Sequence, residues 1–221
     1  IGRFPKDVYY GFYHHYIGLD WGYKDYTALT FATWNFRKAR LEVEGELTFS
    51  GHDVRSDRIA EEVRLRIKKL WMNDPVFRMV SDSADPILIN EINRYDGMDF
   101  VPVQKAHTLE AMLNEFRVLV SQGKIVVSPE CAMTLHCLSN AVWDDQRKKL
   151  DQDVVAHHFD HLMSLVYLTR MLDQATNPIP ADFMVDGVRV IDLVRTSGAQ
   201  GDTAKSLEKV FGGFNGHSAK R

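Results

Sequence analysis

The stretch Tyr16-Ile17-Gly18-Leu19-Asp20-Trp21-Gly22 is a short apolar run that stops at a carboxylate and breaks at a glycine-bearing turn. It reads as a strand with Asp20 at its end. Two more strand-like runs follow, Ala28–Trp34 and Leu41–Phe49, separated by the polar, basic stretch Asn35–Arg40. Three successive strands on short connections make an antiparallel meander. Upstream, residues 1–14 are aromatic and irregular and read as a linker remnant.

Beyond the meander the period changes. Ile59, Val63, Ile67 and Leu70 recur every three or four residues and predict an amphipathic helix, with Arg64, Arg66, Lys68 and Lys69 on its exposed face. Val76–Ser81 predicts a strand closing on Asp82, Ile87–Tyr95 a helix after Pro86, and Phe100–Val103 another strand. Thr108 is suited to N-cap a helix whose apolar face is Leu109, Met112, Leu113, Phe116 and Leu119, with Gly123 placed to end it. A short strand (Ile125–Ser128), a helix (Cys131–Ala141), a polar hairpin (143–156) and a last helix carrying Phe159, Leu162, Val166 and Arg170 complete the core. Residues 173–221, rich in Gly and Ser and opened by Asn177-Pro178-Ile179-Pro180, read as a weakly ordered or partner-binding tail with room for one strand at Val188–Val194. A meander followed by βαβ crossovers gives an α/β fold. Its mixed sheet, with helices on both faces, has the element order of the ribonuclease-H-like fold.

Bulk composition narrows the class without choosing a function. The 221 residues are 45% hydrophobic, enough for one sizeable core. A net charge of −3 gives no polycationic signature, although a nuclease needs only a local basic groove. The two cysteines, Cys131 and Cys137, suit a reduced intracellular chain and form no C-x-x-C zinc pair.

The candidate chemistry rests on three acids. Asp20 and Asp82 end apolar strands, and Asp160 lies in the first turn of the last helix, in His157-His158-Phe159-Asp160-His161. Roughly 60 and 80 residues separate them, so only folding can unite them. If the first and fourth strands are parallel neighbours, Asp20 and Asp82 emerge at one edge and the helix projects Asp160 toward them. Clustered carboxylates repel unless a divalent cation neutralises them, and hard oxygen ligands suit Mg²⁺ or Mn²⁺. With two ions about 4 Å apart, one activates water and the other stabilises the leaving oxygen of a phosphodiester. Each acid also has an ordinary reading: Asp20 as a turn-former, Asp82 as a cap beside Ser83 and Asp85, and Asp160 as a partner of the helix dipole.

Four segments in order carry a resemblance. Ile17-Gly18-Leu19-Asp20-Trp21-Gly22-Tyr23-Lys24-Asp25-Tyr26-Thr27-Ala28 resembles the first nuclease motif of the large subunits of viral DNA-packaging terminases. Val80-Ser81-Asp82-Ser83-Ala84-Asp85-Pro86, continuing to Ile89-Asn90-Glu91-Ile92, is similar to the second motif, and Val101-Pro102-Val103-Gln104-Lys105 to the strand and lysine that follow it. His157-His158-Phe159-Asp160-His161 resembles the third, a histidine three residues before the catalytic Asp. The resemblance covers about residues 16–172 and makes residues 15–172 a nuclease domain. It implies a two-metal endonuclease that cuts concatemeric double-stranded viral DNA in the host cytoplasm. Its catalytic and metal-binding residues would be Asp20, Asp82 and Asp160, and its expected partners the portal protein and the small terminase subunit. Two departures stand out. The third motif usually continues Asp-Ala-x-Arg-Tyr, whereas this chain has Asp160-His161-Leu162-Met163-Ser164. No G-x-x-x-x-G-K-[S/T] loop is present, so an ATPase domain is expected N-terminal to this one in a longer protein, consistent with Ile1 as first residue.

Supporting residues have two readings each. His157 is a candidate metal ligand or a capping histidine. Lys105 is a candidate phosphate contact or a surface lysine. Arg147-Lys148-Lys149 is a DNA-backbone grip or a solvated tip whose field Asp144, Asp145, Asp151 and Asp153 partly cancel. Trp21 is expected to pack under the site, and Trp71 and Trp143 in the core or at the domain surface. The competing functions are another nuclease of the same superfold (resolvase, integrase or transposase), an actin-like or sugar-kinase nucleotide module, and a non-catalytic docking domain for a portal or capsid partner. A transposase would end its acid set in Glu, and the nucleotide module needs a second glycine-rich loop that this sequence lacks.

Overall fold

The computed structural model describes residues 12–22, 26–50, 54–72, 74–83, 86–103, 109–141 and 159–176, with the backbone of 184–185 and 188–189. In chain order the elements are β1 (Tyr13–Asp20), β2 (Tyr26–Asn35), β3 (Arg40–Ser50), α1 (Ser56–Trp71), β4 (Val76–Asp82), α2 (Pro86–Ile92), β5 (Phe100–Val103), α3 (Leu109–Ser121), β6 (Ile125–Val127), α4 (Ala132–Asn140), α5 (Asp160–Arg170), β7 (Met184–Val185) and β8 (Val188–Arg189). The chain divides into two units, one built on Tyr13–Thr176 and a second that contains β7 and β8. In the second, β7 pairs antiparallel with β8, the start of the expected strand at Val188–Val194. Of the expected lead-in 1–14, Tyr13 and His14 belong to β1 because the strand continues upstream of Tyr16, and residues 1–11 lie outside the described residues, as do the Thr108 cap, the hairpin at 143–156 and Trp143.

One six-stranded sheet in the order β5-β4-β1-β2-β3-β6 organises the first unit. β1, β2 and β3 form the expected antiparallel meander, and β4 pairs parallel to β1. β5 extends the sheet parallel to β4, and β6 lies parallel to β3 on the opposite edge. This is the mixed α/β sheet that the element order implied.

Strand alternation divides the core into two layers. Ile17, Leu19, Leu29, Phe31 and Met79 pack with Ile59 and Val63 of α1 and Ile89 and Ile92 of α2. Tyr16, Trp34, Val43 and Val80 face the other way, onto Met112 and Phe116 of α3 and Leu165 and Leu168 of α5. Because β1 is covered on both faces, it is buried from His14 to Asp20. Trp71 is core, and its indole N–H donates to Glu44 at 2.9 Å, so the ring is buried without stranding its polar atom. Arg64, Lys68 and Lys69 are exposed as expected, and Arg66 is half-buried.

One helix is shorter than its periodicity predicts. α2 stops at Ile92 rather than Tyr95 because the Asn93 side chain turns to β5. Its amide donates to the Phe100 carbonyl and its oxygen accepts from the Phe100 N–H, both at 2.8 Å. An asparagine that can bond neighbouring backbone competes with helix continuation.

Neither cysteine forms a disulfide, and both are buried under the α3–α5 layer. Burial pushes the Cys131 thiol up to about 12, and Cys137 is raised by the same cause. Since the thiolate is the reactive species, neither is expected to be alkylated in the native protein. Mass spectrometry after iodoacetamide should show no adduct natively and two in denaturant.

Candidate functional site

β1 and β4 end together. Their parallel register matches Gly18 with Val80 and Leu19 with Ser81, so the next residues, Asp20 and Asp82, stand side by side at the carboxyl ends of adjacent strands. Neighbouring strands lie about 4.8 Å apart. Val80 points to the α3–α5 layer, and alternation puts Asp82, two residues on, on that same face. Gly18 also faces α5, and Asp20 follows it by the same step. Both carboxylate residues are buried, at 8% and 4% exposure, where charge costs most and a neutralising partner matters most.

α5 brings the third acid to this edge. The helix packs directly on Gly18: a Cβ there would lie 2.2 Å from the Ser164 carbonyl oxygen. Beside it, the Thr30 and Ser164 hydroxyls share a hydrogen bond of 2.5 Å. From Ser164 back to Asp160 is about 6 Å of helix axis, and from Gly18 to Asp20 is about 6.6 Å of strand. Helix start and strand end therefore coincide. Asp160 is half-buried, and one of its carboxylate oxygens accepts the Tyr26 N–H at 3.3 Å, just past the β1–β2 turn. That turn is held by Thr27, whose hydroxyl accepts from the Gly22 N–H and donates to the Gly22 carbonyl, each at 3.3 Å. Gly22 is needed there, since a Cβ would sit 2.1 Å from the Tyr26 carbonyl oxygen.

An electrostatic signature joins the three acids. Tyr167 lies two helical turns after Asp160, on the same face of α5, and is buried. Burial first, and then the charges of Asp20, Asp82 and Asp160, push its hydroxyl far above the ordinary tyrosine range. Burial is the larger cause, and the phenol stays protonated. Sequence reading missed Tyr167, although its seven-residue spacing from Asp160 was a usable signal.

The structure brings Asp20, Asp82 and Asp160 to one edge and one face of the sheet. Among the described residues, however, no three Asp, Glu, His or Cys side chains close to metal-ligand spacing. The donor set still fits a hard divalent cation in kind: oxygen ligands only, two of them on buried residues, their negative charges converging on Tyr167. His157, Lys105, Arg147, Lys148 and Lys149 lie outside the described residues. Trp21 is half-buried and packs on the α1–α2 side of the sheet.

Next to Asp160, His161 is 3% exposed, in a slot that sequence reading did not foresee. Its Nε2 is 2.8 Å from the Thr48 hydroxyl, and its Nδ1 lies 3.8 Å from Glu46. Burial lowers its pKa, with the Glu46 charge acting in the opposite sense.

No protein-family model matches this chain, and no curated protein sequence matches it. Solved structures do. The large terminase of a thermophilic bacteriophage superposes with a TM-score of 0.59 at 14% identity, over 76% of this chain and 42% of that one. The chain thus spans about two fifths of that protein's length. The large terminase nuclease of a second thermophilic phage, G20c, gives 0.56 at 15% identity, over 73% of this chain and 83% of that one. The nuclease domain of the bacteriophage SPP1 large terminase, solved with bound Mn, gives 0.53 at 21% identity, over 72% and 85%. With its sheet order and its paired strand-end acids, the chain has the ribonuclease-H-like fold of the phage large-terminase nuclease domains.

Proposed function

We propose that this chain is the nuclease domain of a phage large terminase, a metal-dependent endonuclease that cuts concatemeric double-stranded DNA during genome packaging. The observation that supports the reading is the placement of Asp20 and Asp82 at the ends of neighbouring parallel strands, with Asp160 bonded to the Tyr26 N–H beside them. The Mn bound to the SPP1 domain, which shares this fold, supports a divalent cation in the same role.

In this reading Asp20, Asp82 and Asp160 hold Mg²⁺ or Mn²⁺, and His157 is a further candidate ligand. A bound pair of such ions supplies Lewis acidity toward the phosphate and a water that is nucleophilic at neutral pH. The chain's own contribution is placement. β1 and β4 fix two carboxylates on neighbouring strands, and α5 adds the third from across the sheet face. Tyr167, kept neutral, can donate a hydrogen bond behind the acids but cannot serve as a base. Lys105, Arg147, Lys148 and Lys149 are proposed to contact the phosphate backbone. Double-stranded DNA, the portal protein, the small terminase subunit and an N-terminal ATPase domain are the proposed partners, and the host cytoplasm the proposed compartment.

The test is digestion of supercoiled plasmid by this chain with Mn²⁺ or Mg²⁺, with and without chelator. Nicked and linear products that vanish on chelation are expected. Plasmid left intact with either ion, alongside portal or capsid binding, would make this a docking domain. Nucleotide hydrolysis without DNA cutting would point to the kinase-like module.

A further inference from the structure

The two helices that meet beside the acid edge both start without a cap of their own. The N-cap residue of α4, Cys131, and that of α5, Phe159, make no side-chain capping bond. Uncapped first turns fray, and Asp160 is the first residue of α5.

Glu46, on β3, stands between these helix starts. One of its carboxylate oxygens accepts the Met133 N–H at 3.0 Å, and the other accepts the Thr134 N–H at 2.9 Å and the Thr134 hydroxyl at 2.8 Å. It thereby caps α4 from a different element, with its charge at the positive end of the helix. Glu46 also faces His161 at 3.8 Å, while Thr48, two residues along β3, meets the other ring nitrogen at 2.8 Å. The His161 carbonyl is held separately, accepting from the Ser164 hydroxyl at 2.9 Å, and that hydroxyl in turn accepts from Thr30 of β2 at 2.5 Å. His161 is thus tied to β3 by the Thr48 bond to its ring, with Glu46 alongside, and to β2 through Ser164, immediately after Asp160.

We propose that Glu46 is a positioning residue for Asp160. It locks α4 against β3, closes one side of the His161 slot, and so holds the first turn of α5 where its carboxylate can share a cation with Asp20 and Asp82. This rests on the nuclease reading above. It concerns a residue pattern of this chain, Glu46-Leu47-Thr48 on β3 set against His161 in place of the alanine usual after the third acid.

Glu46→Gln preserves shape and one good acceptor, so the fold should survive. Expected are a loss of Mn²⁺ affinity of about 10-fold by titration calorimetry, a fall in kcat with little change in KM for DNA, and faster hydrogen exchange in the peptide spanning 159–165. Glu46→Gln combined with His161→Gln should be no worse than the poorer single variant, because both act through one contact. Thr134→Val, which removes only an α4 capping bond, should lower Tm while leaving Mn²⁺ affinity intact. Glu46→Gln behaving like Thr134→Val, with unchanged exchange at 159–165, would overturn the proposal and leave Glu46 a cap of α4 alone. If the parent chain neither bound Mn²⁺ nor cut DNA, the nuclease reading would fall, and the exchange measurement would still decide whether Glu46 holds α5.

Discussion

Asp20→Asn and Asp82→Asn are expected to abolish DNA cleavage while raising the melting temperature of the metal-free protein. Both carboxylates are buried, on the same face of the sheet, at the ends of neighbouring strands. Two like charges on neighbouring strand ends repel, and a bound cation relieves that repulsion. Replacing one by a neutral isostere relieves that repulsion, by on the order of 1 kcal/mol, or roughly 2–4 °C in Tm for a domain of this size. The same change removes a ligand oxygen that asparagine replaces poorly, and cleavage should fall by about 10²-fold or more. A second signature separates ligands from bystanders. Mn²⁺ should raise the Tm of the parent, because an ion that binds only the folded state stabilises it by mass action, and should do so far less in either variant. Asp160→Asn should lose cleavage equally but gain little stability, since Asp160 is half-buried and also accepts the Tyr26 N–H. Retained cutting in any one of the three would remove that residue from the site. Lower rather than higher Tm in Asp20→Asn and Asp82→Asn would mean that the carboxylates are already satisfied within the protein.

Local signals were legible where local physics decides the outcome. Alternation in Ala28–Trp34 and Leu41–Phe49 and the helical period of Ile59, Val63, Ile67 and Leu70 define elements that the structure reproduces within a few residues. The ends of strands were legible too, so Asp20 and Asp82 fall side by side once β1 and β4 are parallel neighbours. What depended on tertiary packing was not. Glu46 sits in Leu41-Glu42-Val43-Glu44-Gly45-Glu46-Leu47, within a run whose alternation marks a strand and nothing more. Its role emerges only because β6 docks parallel to β3 and delivers α4 to that face. Asn93 reads as one more helical residue until β5 arrives to bond it. His161 reads as an extra histidine in a histidine-rich run, and only the position of β3 turns it into a buried wedge.

Gly18→Ala is the second large effect, and it follows from a contact that no local pattern contains. Gly18 lies within β1, and its substitution is a matter of packing. An added methyl would stand 2.2 Å from the Ser164 carbonyl oxygen, 3.0 Å from its carbon and 3.1 Å from the Leu168 Cβ. The nearest two atoms are helix backbone, which cannot rotate aside, so α5 as a whole must lift. Lifting it loosens Leu165, Val166 and Leu168 from the core and breaks the Thr30–Ser164 hydrogen bond. Overpacking of this kind costs about 1–3 kcal/mol or more, and a rigid helix in the way argues for the upper end. The expected fall in Tm is therefore roughly 6–12 °C. Cleavage should suffer beyond that loss, measured at a temperature where the variant is fully folded, because a shift of about 1 Å in Asp160 is enough to cost about 10²-fold in rate. Gly45→Ala is the matched control. There the added methyl meets the Leu70 Cδ1 at 2.9 Å, the tip of a flexible side chain on α1, which can swing away. A Gly18→Ala protein as stable and as active as Gly45→Ala would show that α5 does not rest on β1, and the main support for Asp160 at the edge where Asp20 and Asp82 stand would be gone.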